Sequence, residues 1–231
     1  SWFERNIKYY NIERLLRKSN IISQTNIQKQ LLEENFRLSS RVITNGYNIP
    51  PQKTNKKLPI ILWVANLKKW KRPEIFINLA KDLGSINVKL LVVGRNPNSD
   101  YSNSIVNLIN NSSNMKYLGE LEIKDVDKIF EKSIIFVNTS LPFEGFPNTF
   151  IQSWVNRTAI VSLNFDPDNI LESKGLGIHA GSYNRLVLSV KELVLNPNKR
   201  KSFVDKSEKY VLQNHDISET TSRLLEYFGE V

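Results

Sequence analysis

Between residues 60 and 162, five short apolar runs alternate with amphipathic stretches, and this alternation constrains the fold more than any other feature of the chain. The runs cover residues 60–65, 88–93, 115–118, 134–138 and 159–162. Most are nearly continuous in Ile, Leu, Val and Phe, the pattern of strands buried on both faces of a parallel sheet. Helical patterns separate them. One covers residues 73–83, opened by Pro73 and followed by Gly84; one is marked by Ile105 and Ile109; one by Val126, Ile129 and Phe130; and one covers 147–156. Strand and helix repeated in this order give right-handed crossovers and a Rossmann-like, doubly wound α/β domain. Three further helices are expected over 183–195, 199–212 and 217–228.

The stretch before residue 60 is less regular. Helices are expected over 2–18 and 26–36, with short strands at 20–23 and 42–43 and a turn at Asn45-Gly46. Residues 48–59 hold three Pro and three Lys with little apolar content, and they read as a linker. The chain begins at Ser1 rather than Met and its first residues already look helical, the expectation for a piece of a longer protein.

Composition excludes several chemistries. With no Cys there is neither disulfide nor thiolate chemistry, and two His without Cys argue against a structural zinc site. No apolar run approaches the roughly 18 residues of a membrane-spanning helix. The N-terminus lacks the charged-then-apolar pattern of an export signal, so the expected location is cytoplasmic. The net charge of +9 and pI near 9.6 fit a nucleic acid, an anionic membrane face or a phosphorylated small molecule. They fit equally a Lys-, Asn- and Ile-rich composition with no partner behind it. The four Trp and eight Tyr are dispersed and form no stacking platform.

In an open parallel sheet, ligands bind outside the carboxyl ends of the strands, which directs attention to loops 66–72, 94–98, 119–122 and 139–147. The first carries Lys68, Lys69, Lys71 and Arg72 just before a helix N-terminus, a place suited to phosphate and equally to solvated surface charge. The last leads into Glu144-Gly145-Phe146-Pro147-Asn148-Thr149-Phe150-Ile151-Gln152. Gly145 permits close backbone approach, and Pro147 can open a helix whose N–H groups at Asn148 and Thr149 are free for an oxygen ligand. Glu144 and Gln152 are candidates to face one cleft; the plainer alternative is a helix cap at Asn148 or Thr149 with Glu144 as a surface charge. His179 and His215 lack nucleophile partners and read as structural or surface residues. Asp166-Pro167-Asp168 reads as a turn. Walker and G-x-G-x-x-G fingerprints are absent.

Together the runs Ile60-Ile61-Leu62-Trp63-Val64-Ala65, Leu90-Leu91-Val92-Val93-Gly94, Tyr117-Leu118-Gly119 and the Glu144–Gln152 segment, with Lys71, resemble the glycosyltransferase group 1 family (glycosyltransferase family 4, GT-B fold). The resemblance runs from about residue 19 to the end. It implies the C-terminal, donor-binding half of a GT-B fold, divided into residues 1–50 as the close of the N-terminal domain and the interdomain connection, 51–215 as the nucleotide-sugar-binding domain, and 216–231 as a helix crossing back. The implied activity is a retaining, metal-independent transfer of a sugar from a UDP- or GDP-type donor, with no further cofactor, in polysaccharide or glycolipid biosynthesis. Lys71 and Glu144 are the implied catalytic residues. Asn66, Lys71, Gly94, Tyr117, Leu118, Glu144, Gly145, Phe146, Pro147, Asn148, Thr149 and Gln152 are the implied donor-binding set.

The sequence departs from the family pattern at four places. Asn66 replaces the usual Arg, Gln152 the second of two acids, and Arg157 and Ala159 the usual Gly and Pro. The implied partners are the nucleotide sugar and a sugar or lipid-linked acceptor held by an N-terminal domain, with peripheral membrane contact and no nucleic acid. Three other readings stay open: a GT-B sugar-nucleotide epimerase or phosphorylase, a non-catalytic relative of the same fold, and a basic module in which Lys53, Lys56, Lys57, Lys68, Lys69, Lys71 and Arg72 form one patch for nucleic acid or a membrane face.

Overall fold

The computed structural model describes residues 12–51, 56–84 and 86–229. Helical residues 12–16 (α1) are followed by β1 (Ile22–Ser23), α2 (Asn26–Phe36) and β2 (Arg41–Val42), and β1 and β2 pair in parallel. Most of the helix expected over 2–18 lies outside the described residues. The main sheet contains β3 (Ile60–Val64), β4 (Lys89–Val93), β5 (Met115–Tyr117), β6 (Ile135–Asn138), β7 (Ala159–Ser162) and β8 (Ile178–His179). All of its pairings are parallel and its order is β5-β4-β3-β6-β7-β8. The sixth strand, β8, was not apparent in the sequence because two residues carry no periodicity.

Helices α3 (Pro73–Asp82), α4 (Asp100–Asn110), α5 (Ile123–Lys132), α6 (Asn148–Val155), α7 (Ile170–Ser173), α8 (Tyr183–Leu195), α9 (Pro197–Asn214) and α10 (Ile217–Phe228) complete the chain. Neighbouring strand residues face opposite sides, so the continuous apolar runs feed two cores. Ile61 and Trp63 of β3, Ile135 and Val137 of β6, and Val161 of β7 meet Phe76 and Leu79 of α3, Ile105 and Ile109 of α4, and Leu186 and Val190 of α8. On the opposite side Leu62, Phe136 and Ile160 meet Phe130 of α5, Phe150, Ile151 and Trp154 of α6, and Leu171 of α7. Each fully buried side chain of this kind contributes on the order of 1.5–3 kcal/mol.

From β3 the chain moves through β4 to β5 in one direction, then returns to place β6 on the other side of β3. The loops leaving β3 and β6 therefore diverge, and a crevice opens at their carboxyl ends.

The stretch read as a linker ends in contact rather than in solvent. Lys57 donates to Phe130 O (3.1 Å), Asn156 O (2.6 Å) and Thr158 Oγ1 (3.1 Å), and burial lowers its pKa to about 7. Because Lys57 precedes β3 and Lys71 follows it, the two lie at opposite ends of that strand. The single basic patch considered from the sequence is thereby divided, and its Lys53 lies outside the described residues.

Residues before β3 meet α10 and the residues that lead into it. The Tyr227 hydroxyl donates to Ile21 O (3.3 Å), Arg41 and Glu226 form an ion pair at 3.4 Å, and Tyr47 N and O bond the backbone of His215 and Ile217. Among the described residues no helix is long and apolar enough to cross a membrane.

Candidate functional site

The crevice between the β3 and β6 loops holds a cavity of about 340 Å³. Its walls come from four strand ends. After β3 come Asn66, Lys68, Trp70 and Lys71; after β4, Gly94 and Arg95; after β5, Glu120 and Leu121; after β6, Glu144, Pro147, Asn148 and Thr149.

Hydrogen bonds lock the β3 and β6 loops together. The Trp63 indole N–H donates to Thr139 Oγ1 (2.8 Å), the Thr139 hydroxyl donates to Lys71 O (2.6 Å), and Leu141 N–H donates to Trp70 O (2.9 Å). Lys71 is thereby held by its own backbone at the crevice. Its ammonium pairs with Glu144 and lies 4.1 Å from the Trp70 ring centroid. Glu144 also accepts from Asn138 Nδ2 at 3.4 Å. The side chains of Lys71 and Glu144 are only 17% and 10% exposed, so each charge depends on the other for compensation. Burial, and then the neighbouring Lys68 cation, push the Lys71 pKa down to about 8.

Glycine at position 94 is a steric requirement. Its φ is +145°, and a Cβ there would lie 1.8 Å from Ala65 O. Gly94 N–H donates to Gly119 O (2.8 Å), and the Tyr117 hydroxyl donates to Gly94 O (2.7 Å). Asn66 Oδ1 accepts from Arg95 N–H (3.3 Å), and Leu67 N–H donates to Arg95 O (2.9 Å). The floor of the cavity is thus backbone from three adjacent strand ends drawn tightly together.

The N-terminus of α6 faces this space. Pro147 occupies the cap position and no side chain caps the helix, so the alternative in which Asn148 or Thr149 serves as the cap does not describe it. Uncapped N–H groups and the helix dipole favour an anion at this end.

Seven residues singled out from the sequence line the cavity: Asn66, Lys71, Gly94, Glu144, Pro147, Asn148 and Thr149. The other five lie elsewhere. Tyr117 braces Gly94, and Leu118 packs against the second core. Gly145 lies against Gln24 and Gln28, where a Cβ would come within 2.5 Å and 2.8 Å of their amide atoms. Phe146 is buried, its ring 4.9 Å from that of His215. Gln152 does not share the cavity with Glu144. It is 8% exposed and its amide donates to Asp127 Oδ1 (3.2 Å) and the Tyr47 hydroxyl (3.4 Å), while Tyr47 itself donates to Asp127 Oδ2 at 2.7 Å. Gln152 lies more than one turn inside α6, which carries it off the rim and into this network.

Lining residues that the sequence did not single out include Arg95 and Glu120. Arg95 directly follows the strand-ending Gly94, and that position was the available signal. His215 is fully buried with Nδ1 2.8 Å from Asn45 O, and burial pushes its pKa down to about 4. His179 lies near Asp166 and Glu172, their ligand atoms within 4.8 Å of one another. The Asp166 carboxylate there accepts from the N–H groups of Leu171 and Glu172 (2.8 and 3.1 Å).

Residues 47–210 match the sequence model of the family Glycosyl transferases group 1. The chain belongs to that family. No curated protein sequence matches it significantly. Among solved structures, the chain is similar in fold to a glycosyltransferase from Rickettsia africae (TM-score 0.81, 20% identity, covering 96% of this chain and 66% of that one). It is similar also to a point mutant of S. aureus TarM, solved with fondaparinux, α-GlcNAc-glycerol and UDP (TM-score 0.81, 19% identity, 95% and 46% coverage), and to Anabaena HepE, solved with UDP and glucose (TM-score 0.80, 17% identity, 92% and 64% coverage). This chain therefore spans less than two thirds of the length of each of these structures. Its parallel six-stranded sheet is the Rossmann-like half of a GT-B fold, as the sequence led one to expect.

Proposed function

We propose that this chain is the donor-binding part of a retaining, metal-independent glycosyltransferase that takes a sugar from a UDP- or GDP-type nucleotide sugar and passes it to a sugar or lipid-linked acceptor in polysaccharide or glycolipid biosynthesis. One observation carries the reading: at the switch point of the sheet, a buried Lys71–Glu144 pair and the uncapped end of α6 line one cavity. The presence of UDP in the TarM and HepE structures supports it.

In such a transfer the bond between the anomeric carbon and the phosphate oxygen breaks, and negative charge builds on the departing nucleoside diphosphate. Lys71 and the N–H groups of Asn148 and Thr149 are pre-organised to receive that charge without a metal ion. Glu144 offers acceptors to the sugar hydroxyls. The acceptor hydroxyl forms its bond on the face the phosphate leaves, and its proton passes to that phosphate. Gln152, committed to Asp127 and Tyr47, takes no direct part.

The test compares UDP with UDP-glucose, and GDP with GDP-glucose, by calorimetric titration of wild type and Glu144→Gln. Glu144→Gln should bind the bare nucleotide at least as tightly, because Lys71 is freed for phosphate. The affinity of the sugar nucleotide relative to the bare nucleotide should fall about tenfold, the worth of charge-assisted hydrogen bonds to the sugar. An unchanged ratio would remove Glu144 from the sugar site.

A further inference from the structure

Two residues far from the cavity in sequence reach into its wall. Asn45 Nδ2 donates to Asn148 Oδ1 at 2.7 Å and approaches Phe146 O at 3.5 Å. Gln24 Nε2 donates to Asn45 Oδ1 at 2.7 Å, and Gln24 Oε1 accepts from Phe146 N–H at 3.1 Å. Both amides are therefore used at each end, and together they span the loop that carries Glu144, Gly145 and the start of α6. Gly145 leaves the room for this contact, because a Cβ there would lie 2.5 Å from Gln24 Oε1.

Asn45 is itself fixed from behind. His215 Nδ1 lies 2.8 Å from Asn45 O, the Thr44 hydroxyl donates to Asn214 O (2.8 Å), and a Cβ on Gly46 would lie 2.8 Å from Ile217 Cδ1. Its amide is thus presented to Asn148 by backbone gripped between α9 and α10.

The consequence falls on Asn148. With its Oδ1 accepting from Asn45, the Asn148 side chain keeps its two Nδ2 hydrogens as donors at a cavity it lines beside the α6 N-terminus. We infer that Asn45 and Gln24 are positioning residues that hold Asn148 with its amide donors toward the phosphates of a bound nucleoside diphosphate, so that the β1-α2-β2 segment and the residues that follow it complete the donor site. The inference rests on the donor-binding reading above.

Calorimetric titration with UDP and GDP, paired with thermal melting of the unliganded chain, tests it. Asn45→Ala and Asn148→Ala should each weaken the bound nucleotide about tenfold, the scale of one hydrogen bond to a charged group. The double variant should lose no more than either single one, because both remove the same contact. Asn148→Asp keeps the acceptor that Asn45 needs, so it should melt near wild type and yet lose more than tenfold in affinity through its missing donors and added charge. This last variant decides the matter even where Asn45→Ala fails to fold. Wild-type affinity in Asn148→Asp, or losses that multiply in the double variant, would overturn the inference. Failure of wild type to bind either nucleotide would instead overturn the donor-binding reading and take the inference with it.

Discussion

Gly94→Ala should destabilise the chain by about 3–5 kcal/mol and abolish nucleotide binding. Two costs add. A residue other than Gly is strained at a φ of +145°, and the new Cβ would sit 1.8 Å from Ala65 O. That overlap is with backbone at the end of β3, which is registered residue by residue against β4 from Ile60–Lys89 to Val64–Val93. It is relieved only by parting the two strands at the floor of the cavity, the situation in which overpacking is most costly. Since whole domains are stable by only about 5–15 kcal/mol, this removes a large share of the margin that keeps the chain folded. Urea denaturation followed by circular dichroism reads the loss, and a wild-type midpoint would show that β3 and β4 do not approach as described.

Lys71→Met should weaken nucleoside diphosphate binding about a hundredfold, more than loss of one surface cation would explain. The substitution removes a cation from the phosphate site and leaves Glu144, only 10% exposed, as an uncompensated anion facing an incoming anion. The double variant Lys71→Met with Glu144→Gln separates the two effects: it should recover the stability and the share of affinity lost to the unpaired carboxylate, but not the share lost with the cation. The pKa of about 8 adds a pH signature. Lys71 binds phosphate as the cation, and the charged fraction falls about tenfold from pH 7 to pH 9 when the pKa is near 8, so affinity should fall by about that factor over the interval. Lys71→Arg should hold its affinity level across the same range, because a guanidinium stays charged. Affinity in wild type that is flat from pH 7 to 9, together with tight binding by Lys71→Met, would place the phosphates elsewhere.

The parts of this architecture that were legible in sequence are those written in periodicity. Residues 60–65, 88–93 and 134–138 announce buried parallel strands because both faces are apolar, and the strand ends then mark where ligands bind. Lys71, Glu144, Asn148 and Thr149 follow from that rule together with the helix start at Pro147. What was not legible is what depends on contacts between distant segments. Gln24 and Asn45 are ordinary polar residues in an irregular stretch, and only the packing of α2 and β2 against the main domain brings them to Phe146 and Asn148. Lys57 looked like a linker charge because its three carbonyl and hydroxyl acceptors come from α5, from Asn156 just past α6 and from Thr158 just before β7. Gln152 looked like a cleft residue because its distance from Glu144 says nothing of Asp127 and Tyr47, which draw its amide inward. Asp168 likewise read as part of a turn, yet at a φ of 50° its carboxylate accepts from the N–H groups of Asn26 and Ile27 and caps α2.

The most direct test of the central claim is a calorimetric titration of the unmodified chain with UDP and with GDP, each in EDTA and repeated at low and high salt. The donor-binding account predicts saturable one-to-one binding of one of the two nucleotides, undiminished by EDTA. Binding of neither, alongside salt-sensitive binding of a long polyanion such as heparin or RNA, would contradict it.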